Sequence, residues 1–350
     1  MKPFGNIPIK VLLGYAALLT AALLLPFVTG ATVGNGWIRV LDFALLYAML
    51  ALGLNIVVGY AGLLDLGYIA FYAIGAYLYA WLASPHFGLH WHPLVILPLG
   101  ACVTALFGVV LGAPTLRLRG DYLAIVTLGF GEIVRLFMNN LDRPFNLTNG
   151  PQGINLIDPL FSLPQPFMLF GLKITAAYCY YYFFLLLVGI VIFVSLRLQD
   201  SRIGRAWMAI RENEMAAKAC GINTRNVKLL AFAMGAAFGG MAGGLFAGFQ
   251  GFVSPESFVL LESIMVLCMI VLGGMGNIPG VILGAILLTV TPEWLRDIAN
   301  PVQQSLFGRS LIDPENLRML LFGLALVGTM LWRPQGLWPA TPHHARDSAG

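Results

Sequence analysis

Long apolar runs separated by short polar breaks recur along the whole chain. No Asp, Glu, Lys or Arg occurs from Val11 to Ile38, Leu66 to Leu116, Ile174 to Leu196, Leu229 to Pro255, or Ser263 to Pro292. About 20 apolar residues cross the hydrocarbon core of a bilayer, and backbone inside it must satisfy its own hydrogen bonds, so these runs predict transmembrane helices. Ten spans are expected: Val11–Val28, Val40–Val58, Leu63–Leu82, Leu94–Ala113, Tyr122–Met138, Ala176–Leu196, Leu229–Phe249, Leu260–Leu272, Pro279–Leu295 and Asn316–Trp332. The fifth and eighth are short enough to be tilted or half-spanning. The predicted fold is all-α, a polytopic transmembrane helical bundle with one amphipathic cytoplasmic helix. A single domain is expected over 1–340, with a cytoplasmic loop at 199–228, an outer loop at 139–173 and a polar tail at 341–350.

Composition agrees with the pattern. The 350 residues are 59% hydrophobic and 10% charged, against about 25% charged in soluble domains. The first run follows Lys2 and Lys10 as a signal peptide would, but it is longer than a signal core and a second run follows at once, so a retained anchor is expected. The net charge of +4 is explained by topology rather than by nucleic acid. With both termini cytoplasmic, the inner side holds Lys2, Lys10, Arg117, Arg119, Arg197, Arg202, Arg205, Arg211, Lys218, Arg225, Lys228, Arg333 and Arg346, leaving Arg39, Arg135, Arg143, Lys173, Arg296, Arg309 and Arg318 elsewhere. Cys102, Cys179, Cys220 and Cys268 form no CxxC pair, so neither zinc nor a disulfide framework is signalled, and buried small residues are expected.

Within the seventh span Gly235, Gly239 and Gly243 recur every four residues, and so do Gly240, Gly244 and Gly248. Small-residue stripes let helix backbones approach closely in lipid, so two stripes predict close neighbours on two sides. The outer loop carries Pro144, Pro151, Pro159 and Pro164, which predicts irregular but ordered structure. It reads equally as a docking surface or a connector.

The stretch from Ser201 to Phe232 interrupts the apolar pattern with Arg202, Arg205, Arg211, Lys218, Arg225 and Lys228 against Glu212 and Glu214. Asp200 or Ser201 can cap a helix start, and Gly221 suits a left-handed residue past its end. Ile203, Trp207, Ile210, Ala217 and Gly221 fall on one side at helical spacing. Such a helix either offers its small-residue face to a soluble partner or rests on anionic lipid, and composition weighs the two equally.

The segment ENEMAAKACG resembles the cytoplasmic EAA loop of ABC-transporter permeases, with Ala216, Ala217 and Gly221 in the matching positions. The acidic residue comes one place early, at Glu214, with Met215 in its usual slot, and the later Leu-Pro ending is absent. That departure is typical of branched-chain amino-acid permeases. The rest of the chain resembles them in NIVVGYAGLLDLGYIAFYAIGAY (Asn55–Tyr77), LRLRGDYLAIVTLGFGEIVRL (Leu116–Leu136), NGPQGI (Asn149–Ile154), GRAWMAIRENEMAAKACGI (Gly204–Ile222), QGFVSPESF (Gln250–Phe258), VLGGMGNIPG (Val271–Gly280) and WRPQGL (Trp332–Leu337). The resemblance implies an inner-membrane importer subunit for leucine, isoleucine or valine. It also implies a homologous second permease, two cytosolic ATPases and a periplasmic binding protein as partners. Arg205, Trp207, Arg211, Glu212, Glu214, Ala216, Ala217 and Gly221 would then form the ATPase-coupling element. The chain has no Gly-Lys dipeptide and hence no P-loop, so no cofactor is expected in it and ATP use falls to the partners.

For a zwitterionic substrate, a broken helix is the usual means of meeting the carboxylate. Gly59, Gly62 and Gly67 bracket Asp65 and permit an unwound segment there; Asp65 either meets the ammonium group or is simply hydrated at the span end. Asn55, Gly75 and Tyr77 in the same stretch, with Glu132, complete the expected substrate pathway. Glu132 and Arg135 are spaced to pair across one turn, which is itself a sufficient reason for both. Glu262 either contacts substrate or faces water, and Asp121 caps the fifth helix. His86, His90 and His92 lack an accompanying carboxylate or thiol, so no metal site is expected, and VLGGMGNIPG reads as a tight turn rather than a dinucleotide fingerprint. A urea or short-amide permease of the same family and an ion-coupled secondary transporter remain as rivals. A membrane enzyme is disfavoured, since no span carries a nucleophile with a base.

Overall fold

A computed structural model describes residues 9–115, 118, 120–143, 146–161, 167–169 and 172–307, and beyond them 320, 323–324, 327–328, 331–333 and 335–338. The fold is helical almost throughout. Helix α1 (Ile9–Thr32) is followed by α2 (Gly36–Asn55), which runs on into a π turn, Ile56–Tyr60. After a non-helical stretch come α3 (Ile69–Leu82), α4 (Pro93–Thr115), α5 (Asp121–Asn140) and α6 (Ala176–Gln199). Two short helices, α7 (Arg202–Glu212) and α8 (Glu214–Ala219), precede α9 (Thr224–Gln250), α10 (Leu260–Gly273) and α11 (Ile278–Phe307).

Among the described residues, six segments are long and apolar enough to cross a membrane: Gly36–Tyr60, Pro93–Thr115, Ala176–Gln199, Thr224–Gln250, Pro255–Gly273 and Ile278–Asp297. They correspond to the second, fourth, sixth, seventh, eighth and ninth expected spans. The α-helix of the eighth, Leu260–Gly273, is as short as expected at 14 residues, and a 3-10 turn at Pro255–Phe258, separated from it by the extended Val259, lengthens the apolar segment to 19. Helix α5 extends beyond the expected limits at both ends but carries Asp121, Glu132 and Arg135. The third span departs most from expectation. Its helix starts at Ile69 rather than Leu63 and has 14 residues; at 1.5 Å per residue this is about 21 Å, short of a hydrocarbon core of about 30 Å. Most of the tenth expected span and the polar tail lie outside the described residues.

Helix α9 sits at the centre. A β-carbon on Gly235 would press on Val57, one on Gly239 on Tyr68 and Phe71, and one on Gly243 would overlap the Tyr72 carbonyl of α3. On the other side, Gly240 meets Thr104 and Gly244 meets Leu97, both on α4, while Gly248 meets Tyr79. The two glycine stripes therefore seat α9 against α2 and α3 on one side and largely against α4 on the other, as their spacing predicts. The expectation of buried cysteines holds less well: Cys102 on α4 and Cys220 after α8 are exposed.

Extended structure is confined to short pieces. Strand β1 (Ile154–Asn155) pairs antiparallel with β4 (Phe252–Val253), and β2 (Phe167–Leu169) with β3 (Leu172–Ile174). The first pair ties the outer loop to the segment between α9 and α10. The adjacent residues Ile157 and Asp158 add to it: the Ile157 amide donates to Gly251 O at 3.2 Å and the Asp158 amide to Ala83 O at 2.6 Å. One dipeptide thus holds the C-terminal ends of α9 and α3 together. The histidines take separate partners there. His90 Nδ1 lies 2.5 Å from Asp158 Oδ2, and His86 Nε2 2.8 Å from Asn146 O.

Candidate functional site

Two helices, not one, form between α6 and α9. Ser201 caps α7 by accepting from the Gly204 amide at 3.1 Å. Asn213 then leaves the helical region (φ −157°, ψ 107°) and its Oδ1 accepts from the Met215 and Ala216 amides at 3.0 and 3.1 Å. Asn213 is therefore an N-cap in mid-loop. Its side chain competes for the amides that a continuous helix would leave to backbone carbonyls, so the expected single helix is split. Gly221 takes the left-handed conformation (φ +83°) just past α8, as expected.

Most of the apolar face turns inward, onto this chain's own body, although Ile203 and Gly221, expected on it, are exposed. Trp207 is wholly buried and its Nε1 donates to Val227 O of α9 at 2.7 Å. Gly204, Ile210 and Ala217 are buried as well, while Arg205, Arg211, Glu212, Met215 and Ala216 are exposed. Glu214 also points inward. Its carboxylate lies 2.9 Å from Lys228 Nζ and 3.3 Å from Lys218 Nζ, and accepts from Thr224 Oγ1 at 3.4 Å. Burial works to raise this carboxyl, but the two ammonium groups outweigh it and hold Glu214 below the usual range.

Beside this junction opens a cavity of about 710 Å³, lined by Pro114 of α4 and by Glu214, Lys218, Ile222, Arg225 and Lys228. Its charged lining is Lys218, Arg225 and Lys228 with Glu214, which pairs with both lysines.

The exposed face of α7 reaches the helix break. Arg211 Nη1 donates to the Gly59 carbonyl in the π turn that ends α2. Its stem covers Gly62: a β-carbon there would stand 2.7 Å from Arg211 Cγ. Gly62 has φ +68°, a conformation that glycine adopts without penalty. The same guanidinium borders Gly276, in the turn joining α10 to α11. The Gly276 amide in turn donates to Asn55 Oδ1 at 2.8 Å, and Asn55 is buried in the last turn of α2. Asn55, Gly59 and Gly62, expected on the substrate path, thus meet Arg211, expected in the coupling element. Gly276 joins them from a segment read only as a tight turn, which it is: Gly274 and Gly276 both have positive φ. The WRPQGL segment packs on that turn through Leu337 N to Leu272 O at 2.8 Å and Trp338 N to Gly273 O at 3.0 Å.

Asp65 follows in the unwound stretch of the same break, and the other pathway residues lie elsewhere. Asp65 is buried, not hydrated at a span end, and its Oδ1 accepts from the Gly67 amide at 2.9 Å. Thr127 of α5 supports the same unwound stretch by accepting from the Leu66 amide at 3.0 Å. Gly75 packs where a β-carbon would overlap Gly240 O, so it serves the α3–α9 contact, and Tyr77 is buried beside Phe258 with ring centroids 6.1 Å apart. Glu132 Oε2 pairs with Arg135 Nε at 3.0 Å on α5. Glu262 Oε2 accepts from Tyr47 OH at 2.9 Å.

Residues 36–330 match the family described as branched-chain amino acid transport system / permease component. The chain is 45% identical over 95% of its length to the high-affinity branched-chain amino acid transport system permease protein LivM of Escherichia coli K12, of which 76% is covered. It is 27% identical over 85% of its length to a probable branched-chain amino acid transport permease protein LivM of Methanocaldococcus jannaschii, covering 91% of it. It is also 27% identical over 83% of its length to the permease protein LivH of E. coli K12, covering 92% of that protein. No solved structure matches. Matched over residues 36–330 and 45% identical to a LivM permease over 95% of its length, the chain belongs to the permease components of branched-chain amino acid transport systems.

Proposed function

We propose that this chain is the membrane-spanning permease of an ATP-driven importer that moves leucine, isoleucine or valine across a bacterial inner membrane. It is a transport subunit and not an enzyme. The observation that carries this reading is the 45% identity to a LivM permease over 95% of the chain. Similarity to both LivM and LivH supports pairing with a homologous second permease. Two cytosolic ATPases and a periplasmic binding protein complete the assembly, and ATP is used by the ATPases. Ten crossings with both termini cytoplasmic agree with the distribution of Lys and Arg.

The α7–α8 pair is the coupling element. Arg205, Glu212 and Ala216 form the face open to an ATPase, and Arg211 runs from that face to the helix break. Trp207, Ala217 and Glu214 fix the pair to the permease body, and Gly221 lets the chain turn into α9. Substrate passes near the break between α2 and α3, where Asn55, Gly59, Gly62 and Asp65 cluster. The test is leucine uptake by the assembled complex in proteoliposomes with the binding protein. Uptake should require ATP and be competed by isoleucine and valine. Uptake driven by an ion gradient without the ATPases, or competition by urea alone, would overturn the reading.

A further inference from the structure

Resting on the reading that α7–α8 receives an ATPase, we infer that Arg211 is a positioning residue that transmits the ATPase's movement directly to the α2–α3 break and the α10–α11 turn. The covalent route from α7 leads only into α6 and α9. Arg211 supplies a second route, through space, to two other helix junctions.

Three observations carry it. First, Arg211 has two faces: part of the side chain is exposed, while its Nη1 donates to Gly59 O and its stem lies on Gly62. A movement of α7 therefore cannot leave the break undisturbed. Second, the acceptor is a carbonyl in a π turn, where the regular ladder of α2 gives way. Such turns are rare and concentrate at functional sites, and a guanidinium donor stabilises a carbonyl at a helix C-terminus. Third, the contact is coupled to its neighbour. Asn55 Oδ1 holds Gly276 N at 2.8 Å, and a β-carbon on Gly59 would overlap Asn55 Oδ1 and stand 2.7 Å from Gly276 N. Shifting the Gly59 carbonyl thus disturbs the Asn55–Gly276 bond, so the α2–α3 break and the α10–α11 turn move together or not at all.

The consequence is specific. The unwound stretch after the π turn holds Asp65, which is buried and whose Oδ1 accepts from the Gly67 amide. Releasing or tightening Arg211 alters the support of that stretch without any movement of α6.

The test uses the assembled complex in proteoliposomes with the binding protein, and compares Arg211→Met, which keeps the stem but not the donors, with Arg211→Lys, which keeps one donor. ATP hydrolysed per leucine transported is measured, along with retention of the ATPases on size-exclusion chromatography. Arg211→Met should retain the ATPases and hydrolyse ATP while transport per ATP falls about tenfold, the worth of one charge-assisted hydrogen bond; Arg211→Lys should fall between it and the parent. Asn55→Ala in the Arg211→Met background should add less than its separate effect, because both act on one junction. Unchanged coupling in Arg211→Met would overturn the inference, as would full additivity with Asn55→Ala. So would loss of the ATPases from the Arg211→Met complex, which would make Arg211 a docking contact only. A parent complex that fails to import leucine would instead count against the proposed function.

Discussion

Lys228 of α9 and Glu214 of α8 meet at 2.9 Å, with the lysine side chain only 6% exposed. This pair, backed by Lys218, fixes α8 to the start of α9. Removing one partner strands a nearly buried charge, which costs on the order of 1–3 kcal/mol or more. Glu214→Gln should therefore lower the melting temperature of the purified protein in detergent. The difference should depend on pH. A carboxyl held below its ordinary value stabilises fully above that value, and the contribution is lost as pH falls through its folded value. The two proteins should thus differ by a constant amount at neutral pH and converge below about pH 4. A difference that grows toward acid would contradict the pairing.

Gly75 and Gly189 give opposite expectations for one kind of substitution. A β-carbon on Gly75 would overlap Gly240 O, whereas one on Gly189 of α6 meets nothing within 4 Å. Overpacking of this kind costs about 1–3 kcal/mol or more where backbone is the obstacle. Gly75→Ala should reduce the folded yield and melting temperature, and Gly189→Ala should leave both unchanged. Equal effects of the two would mean that α3 and α9 are not in close contact.

Trp207 separates packing from hydrogen bonding. Trp207→Phe should cost about 1 kcal/mol for the lost bond to Val227 O plus a small volume term, and Trp207→Ala about 3–5 kcal/mol. Denaturant titration in detergent orders the three proteins. A Trp207→Ala protein as stable as Trp207→Phe would show that α7 does not dock on the body.

Asp42 is buried in α2, and neither carboxyl oxygen has a hydrogen-bond partner among the described residues. An unpaired buried charge is costly, so an amide of the same size should be accepted. Asp42→Asn is expected to insert, fold and transport within about twofold of the parent. A large loss of folded protein would mean that the carboxylate has an ionic partner.

Much of this architecture was legible in the sequence because it is written locally. Gly235, Gly239 and Gly243 repeat at helical spacing, so their stripe declares a close neighbour before the neighbour is known. Gly59, Gly62 and Gly67 announce an interrupted helix, and the interruption is there, although it pushes the start of α3 six residues past the expected limit. The split between α7 and α8 was legible in principle, since Asn213 followed by Glu214 is an N-terminal signal, but apolar spacing across the loop outweighed it. Arg211 on Gly59 was not legible. The two lie 152 residues apart, and neither periodicity nor capping chemistry encodes which carbonyl a long side chain will reach. The same holds for NGPQGI and QGFVSPESF, distant in sequence yet joined by the pairing of Ile154 with Val253.

The dipeptide Ile157–Asp158 works as a rivet. Its two consecutive amides grip the ends of α9 and α3, and the glycine contacts between those helices leave little room to slide. Displacement of one rod relative to the other is therefore a swing about that fixed point, smallest there and widest at the far end, where α7 and α8 sit.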